Sequence, residues 1–241
     1  MKKIFFTTIS LFFLIIASSY ASQFGIEFGK TKTSHNYFQF PNNDSNKVNL
    51  PDDDYANSYR VKAIIDLDKE NFIYLLYAPF AADYNFTSNQ NFEFDNVNFS
   101  ANSKTRVFYK FNSYRAGYFK KFSHSKKFKY WLGGILKIRD AKIKVNQENS
   151  SQSYSNIGIV PLLGIGGQYF LSDKISLFSQ IESLGFNQGY AYDVNAEIRY
   201  KADIKNSFGL GYRTFGGGVD NDKLMNFARF ESFYVSYLRD F

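Results

Sequence analysis

Few side chains in this sequence are equipped for chemistry. It has two histidines, His35 and His124, and no cysteine. His124 lies in Ser123-His124-Ser125, which pairs the residue types of a nucleophile and its base. Sequence neighbours on an extended chain point to opposite faces, and no third, orienting group is at hand. A solvated turn among Lys120, Lys121, Lys126 and Lys127 is therefore the favoured reading. His35 opens a polar stretch that contains Asp52-Asp53-Asp54, and an imidazole with carboxylates nearby suits acid–base work. Asp220-Asn221-Asp222 follows Gly216-Gly217-Gly218 and offers hard oxygen ligands. Calcium takes roughly 6–8 oxygens and usually a distal bidentate carboxylate, which no residue here supplies, so a plain loop is preferred. Without cysteine there is no disulfide, thiolate metal site or lipid-anchored thiol. No phosphate-binding glycine loop or nucleic-acid motif is present. The sequence predicts no cofactor, no metal and no nucleic-acid partner.

The remaining charges are numerous and periodic. In Gly189–Asp203, Tyr190, Tyr192, Val194, Ala196, Ile198 and Tyr200 alternate with Asp193, Asn195, Glu197, Arg199 and Lys201. A period of two puts these sets on opposite faces of a strand. Phe128, Tyr130, Leu132, Leu136 and Ile138 alternate with Lys129, Trp131, Lys137 and Arg139, and Tyr59, Val61, Ala63 and Ile65 with Arg60, Lys62 and Asp66. Similar alternation marks 154–171 and 206–215. These runs exceed the roughly 5–6 residues of a globular strand and suit the roughly 9–11 of a tilted strand that crosses a bilayer.

Composition agrees. Aromatic residues are 20% of the 241-residue chain, with 28 Phe and 19 Tyr, yet mean hydropathy is −0.34. Disorder is poor in aromatics, and a helical membrane protein needs long apolar runs. The one such run is Ile4–Ala17, behind Lys2 and Lys3 and before Ser19-Tyr20-Ala21, the pattern of a signal peptide over 1–21 cleaved before Ser22. Its loss takes the net charge from +7 to +5. For an exported basic chain, anionic lipid is the natural counterpart.

Ten strands are expected, near 23–34, 57–67, 71–82, 103–122, 127–145, 154–171, 174–184, 189–203, 206–215 and 225–239, with eight as the alternative. Strand 71–82 is apolar on both faces, and 103–122 changes phase near Asn112-Ser113, as at a bulge. The connections at Asp68–Glu70, Ser123–Lys126, Ser172-Asp173 and Ile204-Lys205 are short. Those at His35–Ala56, Asp83–Asn102, Gly216–Leu224 and, less so, Asn146–Ser153 are longer and polar. This alternation predicts an all-β, closed antiparallel up-and-down transmembrane barrel over 22–241, with both termini in the periplasm and apolar faces toward lipid. Lys62, Lys137, Glu182, Asp193, Glu197, Arg199, Lys201 and Arg213 then face the lumen. Paired carboxylates there could serve as acid and base, but a plug of mutually paired charges is the favoured reading. On 127–145 the lipid-facing parity passes from Ile138 to Asp140, Lys142 and Lys144. Charges cost roughly 2–4 kcal/mol at mid-bilayer and almost nothing at the interface. Lys142 and Lys144 are thus expected above the hydrocarbon, against lipopolysaccharide or in water.

The segment Phe233-Tyr234-Val235-Ser236-Tyr237-Leu238-Arg239-Asp240-Phe241 resembles the closing strand of bacterial outer-membrane β-barrel proteins, small or ten-stranded. Phe241, Tyr237, Val235 and Phe233 fit its terminal aromatic and alternating apolar pattern, and Arg239 departs from it. The resemblance implies that the barrel-assembly machinery reads this strand. Barrels of similar size include lipid A acyltransferases and deacylases and the omptin proteases, which use a histidine or close carboxylates at the outer rim. The omptin pattern of paired Asp with a late His-Asp is absent. The expectation is a non-enzymatic, monomeric outer-membrane protein whose loops meet an extracellular ligand. A narrow pore and a rim enzyme using His35 are the alternatives.

Overall fold

The computed structural model describes residues 22–52, 55–123 and 125–241, so the signal-peptide reading, Asp53, Asp54 and His124 lie outside the described residues. The strands are β1 (Gln23–Gln39), β2 (Val48–Asn49), β3 (Tyr55–Asp66), β4 (Asn71–Ala78), β5 (Ala81–Thr87), β6 (Phe92–Phe94) and β7 (Val97–Phe99). They continue with β8 (Lys104–Ser123), β9 (Phe128–Gln147), β10 (Ser150–Phe170), β11 (Ile175–Phe186), β12 (Gly189–Lys201), β13 (Asn206–Asp220) and β14 (Met225–Asp240). Neighbours pair antiparallel in sequence order, and β14 returns to β1 from Gln23↔Asp240 to Gln39↔Met225. With β4 and β5 counted as one staggered strand along β8, ten strands close the barrel. Closure leaves no sheet edge, which hydrocarbon requires.

The doubly apolar segment 71–82 is where the barrel departs from regularity. Pro79 lacks an amide hydrogen and interrupts it. The Asn112 side chain bridges the break by accepting the Phe80 N–H at 3.1 Å, while the Phe80 carbonyl accepts from Phe111 N–H at 2.8 Å. The bulge expected in 103–122 is absent, and β8 alternates without a slip. Phe111, Ser113, Arg115 and Phe119 are buried inside it, while Lys110, Asn112, Tyr114 and Tyr118 face out. The apparent phase change is a change of surroundings. Toward the short turns the outside is apolar. Beyond Asn112 the outside carries Lys110 and Arg106, and the inside carries Phe111, Tyr109 and Val107. The barrel leaves the hydrocarbon there, and above that level its polarity is that of a soluble protein. β9 inverts alike, with Ile143 and Val145 inside and Lys142 and Lys144 outside.

The short turns share one device. Oδ1 of Asp68 accepts from the backbone N–H of Glu70 and Asn71 at 2.7 Å each, and Oδ1 of Asp203 from Lys205 and Asn206 at 2.8 and 2.9 Å. Oγ of Ser125 and of Ser172 do the same for the residues two and three further on. The side-chain amides of Asn71 and Asn206, then the backbone donors, hold the two carboxyls below the ordinary aspartate range. At the other end the strands run further than expected. β9 and β10 are joined by Glu148-Asn149 alone, and Gly216–Gly218 belong to β13 rather than to a loop.

Adjacent glycines on β9 test the inside–outside assignment. A Cβ on Gly133 would meet the Phe119 ring at 2.6 Å and the Tyr118 carbonyl, whereas one on Gly134 would point into open space. Gly133→Ala should therefore destabilise the barrel by about 1–3 kcal/mol, and Gly134→Ala should be neutral or stabilise it by up to about 1 kcal/mol. Urea unfolding in detergent micelles, followed by loss of the heat-modifiable gel band, distinguishes them.

Candidate functional site

The lumen has three layers. The middle one is ionic and centres on Asp193 of β12. Its carboxylate takes Arg60 of β3 at 2.7 Å, Arg115 of β8 at 2.8 Å and Arg213 of β13 at 2.7 Å. Arg213 also reaches Glu27 of β1 at 2.7 Å, Glu27 takes Lys62 at 3.0 Å, and Arg115 reaches Glu182 of β11. Glu197 pairs with Arg199 at 3.2 Å and accepts from the Tyr234 and Ser236 hydroxyls. These residues are all buried. Burying a charge in so narrow a space is tolerable only with such partners.

Of the residues predicted to face the lumen, Lys62, Lys137, Glu182, Asp193, Glu197, Arg199 and Arg213 are buried inside it. Lys201 is not. It keeps the inward parity but sits at the last position of β12, past the lumen, and is exposed. Glu27, Arg60 and Arg115 are buried there too, beyond the residues expected from the sequence. Arg60 shares the parity of Lys62, and Glu27 alternates with Ile26 and Phe28, so both were legible. Arg115 was obscured by the misread phase of its strand. Lys137 lies over the Phe111 ring, 4.7 Å from its centre, and has no carboxylate partner among the described residues.

The upper layer, at the long-loop end, is aromatic. The β6–β7 hairpin turns on Asp95 and Asn96, both in the left-handed region, and folds inward so that Phe92, Phe94 and Phe99 are buried. Phe94 packs edge-on to Phe38 and Phe40, with ring centres 5.1 and 5.6 Å apart, and Phe40 packs on Tyr154 at 5.1 Å. Below them Phe80 meets Phe230 at 4.7 Å. Polar ties hold this lid. The Asn46 amide bonds both backbone groups of Glu93, Gln152 donates to the Asp95 carbonyl at 2.9 Å, and Asn42 donates to Asp220 and to the Asn221 carbonyl. Asp220 is thereby engaged, and Asn221 caps the turn into β14.

The lower layer is open. A cavity of about 830 Å³ extends from the ionic layer to the short-turn end, where Lys69, Glu70, Lys120 and Asp240 form its rim.

The rim histidine is exposed at a β-bulge of β1, with φ of 51°. The Asp52 carboxylate accepts the His35 backbone N–H at 2.7 Å rather than its imidazole. Carboxylates on the outer face above the belt are matched with cations: Asp83 with Arg106, Asp140 with Lys110, Glu231 with Arg229. Among the described residues no group of His, Asp or Glu could hold a metal. Lys142 and Lys144 point outward, above Ile138 and Ile157, the last apolar outward residues of β9 and β10, opposite Ser155 and Ser153 on one side and Lys110 and Phe108 on the other. On β14, Phe233 and Val235 are exposed on the outer face; Phe241, the residue after the strand, is also exposed, and the Arg239 guanidinium lies 5.7 Å from the centre of its ring.

No protein-family model and no curated protein matches the sequence. Solved structures match its fold. The outer membrane protease OmpT from Escherichia coli superposes with a TM-score of 0.61 over 91% of this chain and 96% of its own, at 8% identity. Ail, the attachment invasion locus protein of Yersinia pestis, covers 90% of this chain and 99% of its own at 11% identity, with a TM-score of 0.39. Neisserial surface protein A covers 90% and 97% at 12% identity, with a TM-score of 0.36. The fold is that of the outer-membrane β-barrels, with ten strands.

Asp193 is the most consequential lumen residue. Asp193→Leu leaves the Arg60, Arg115 and Arg213 guanidiniums short of a partner and should destabilise the barrel by about 3–5 kcal/mol. Glu231→Gln on the outer face, whose Arg229 partner is half exposed, should cost less than about 1 kcal/mol. Equilibrium unfolding of both variants in one detergent makes the comparison.

Proposed function

We propose that this chain is a non-enzymatic, monomeric outer-membrane protein whose long-loop end is a rigid surface for contact outside the cell. The short turns and both termini then face the periplasm. The observation that carries this reading is the lid. The β6–β7 hairpin and the 40–52 segment are packed by Phe38, Phe40, Phe92, Phe94 and Phe99 and tied by Asn42, Asn46 and Gln152 to the barrel wall and to each other. Loops that merely closed strands would not need a buried aromatic core of their own. A held shape lets a binding surface avoid the entropy of ordering on contact.

The lid and the ionic layer lie in series, which disfavours conduction, so the purified protein should give no stepwise current in planar bilayers. Replacing 88–103 by a two-residue turn should leave a heat-modifiable, still silent barrel. Displayed on a non-adherent bacterium, that variant should bind cultured epithelial cells and immobilised matrix proteins at background level, whereas the full chain binds above it. Equal binding by both would remove the lid from the function, and unitary currents from the full chain would favour a pore.

Two features of the outer face belong to the same reading. Lys142 and Lys144 extend to the level of lipopolysaccharide phosphates, where each lysine gains about 1 kcal/mol from an anionic surface. A Lys142→Glu, Lys144→Glu double variant should lose stability in lipopolysaccharide-containing bilayers and not in neutral detergent, as urea midpoints in the two media will show. Phe241 serves as a signal to the barrel-assembly machinery. Phe241→Ser should lower the surface level in cells several-fold relative to Asp222→Ala, measured by accessibility to external protease.

A further inference from the structure

The cavity below the ionic layer has the makings of a site. It is closed above by Arg60, Arg213 and Asp193 and open toward the short turns. Its volume of about 830 Å³ falls within the roughly 300–1,000 Å³ of small-molecule sites. A small barrel that needed only to be filled would place larger side chains here.

Its wall is unusual in composition. Phe72, Trp131 and Phe178 form a continuous aromatic surface, with ring centres 6.4 Å apart between Phe72 and Trp131 and 5.6 Å between Trp131 and Phe178. Trp131 can lie against β10 because residue 166 is glycine, where any Cβ would collide with the indole. Cations sit at both ends of this surface. The Lys121 ammonium lies 5.2 Å from the centre of the Phe72 ring, and at the far end the Arg199 guanidinium stacks on Phe178 at 3.5 Å, with the Lys62 ammonium 5.6 Å away. Apolar wall and cations together match a ligand that is apolar in the middle and anionic at an end.

Charge balance points the same way. Among the described residues the buried lumen holds six cations, Arg60, Lys62, Arg115, Lys137, Arg199 and Arg213, against four carboxylates, Glu27, Glu182, Asp193 and Glu197. The formal excess is two positive charges, of which Lys137 lies over Phe111 and does not line the cavity, in a space where unpaired charge is costly. Arg199 is among the least satisfied. It is 7% exposed, its Nε lies 3.2 Å from the Glu197 carboxylate without hydrogen-bonding it, and it donates one hydrogen bond of 3.3 Å to that carboxylate. An anionic oxygen entering the cavity could take this guanidinium and offset part of the excess.

We propose that the cavity is a binding site, entered from the short-turn end, for a small anionic amphiphile: a phosphate or carboxylate head held by Arg199, with an apolar chain or ring against Phe72, Trp131 and Phe178. This goes beyond the role of the long-loop surface and does not depend on it. Trp131 is the one tryptophan of the chain, so its emission reports the site directly. The full-length protein in phosphatidylcholine nanodiscs is titrated with octyl phosphate, with inorganic phosphate and with octyltrimethylammonium. Octyl phosphate should shift Trp131 emission saturably, while the other two do not at the same concentrations. Arg199→Gln should weaken octyl phosphate binding about tenfold. Should Arg199→Gln fail to give a heat-modifiable barrel, Phe178→Leu, which removes no charge, should reduce affinity in its place. Inorganic phosphate binding as tightly as octyl phosphate would overturn the amphiphile. Equal responses to the anionic and cationic amphiphiles, or variants that titrate as wild type, would show bilayer partitioning and overturn the site.

Discussion

Hydrocarbon around the barrel decides the chemistry of every strand it touches. A backbone in lipid finds no water, so the sheet must close on itself, and the outward side chains must be apolar. Leu136, Ile138, Ile157, Ile159, Leu163, Leu210 and Val235 meet that demand. Because residues alternate, the polar half of each strand is driven inward whether or not the interior favours it. Ten strands enclose too little space for those charges to remain hydrated individually, and the answer is the shared use of Asp193 by three arginines from β3, β8 and β13. The pairs with Arg60 and Arg115 join strands that are not neighbours in the sheet. They brace the barrel across its lumen in a direction that the backbone ladder does not cover.

The same constraint explains why the sequence was readable in some places and misleading in others. Strands 127–145 and 189–203 lie largely at membrane level, where alternation has one meaning, and their faces were assigned from spacing alone. β8 and the upper part of β13 pass through the membrane surface, where the meaning of apolar reverses. In β8 the reversal at Asn112 looked like a bulge. In β13 the run Gly216-Gly217-Gly218 looked like a loop, although each glycine is paired with a residue of β12. A glycine run carries no facial signal, and only the partner strand reveals its state. The segment 71–82 defied a facial reading for a third reason. Its inward residues Phe72, Tyr74 and Leu76 pack with Phe119, Ile135 and Leu162, so this sector of the lumen is itself apolar. Parity alone assigns Lys201 to the lumen, and parity does not say where a strand ends.

His35 shows the limit of residue type as evidence for chemistry. A histidine at the rim with carboxylates along the chain has the ingredients of a base, but the bulge gives the nearest described carboxylate to its backbone N–H. Three carboxylates of the outer rim are spent likewise, as Asp83–Arg106, Asp140–Lys110 and Glu231–Arg229. What the long-loop end adds to the barrel is shape. The hairpin turn at Asp95-Asn96 needs two left-handed residues in succession, and those types supply them at little strain.

The two ends of the lumen are therefore unlike in kind. Above the ionic layer the barrel continues past the hydrocarbon, water surrounds it, and an aromatic interior is the ordinary outcome of burial. Below the layer there is no comparable extension: the turns capped by Asp68, Ser125, Ser172 and Asp203 follow at once, and among the described residues no loop at that end is long enough to fold back inside. The lower lumen must be filled by wall side chains or stay open. Phe72, Trp131 and Phe178 line its wall without bridging it, and Gly166 holds Trp131 back against the sheet. Larger residues at 166 or 180 could have closed the space. That they do not, while charge stays unbalanced beside it, makes the lower lumen the part of this molecule whose form is least explained by stability alone.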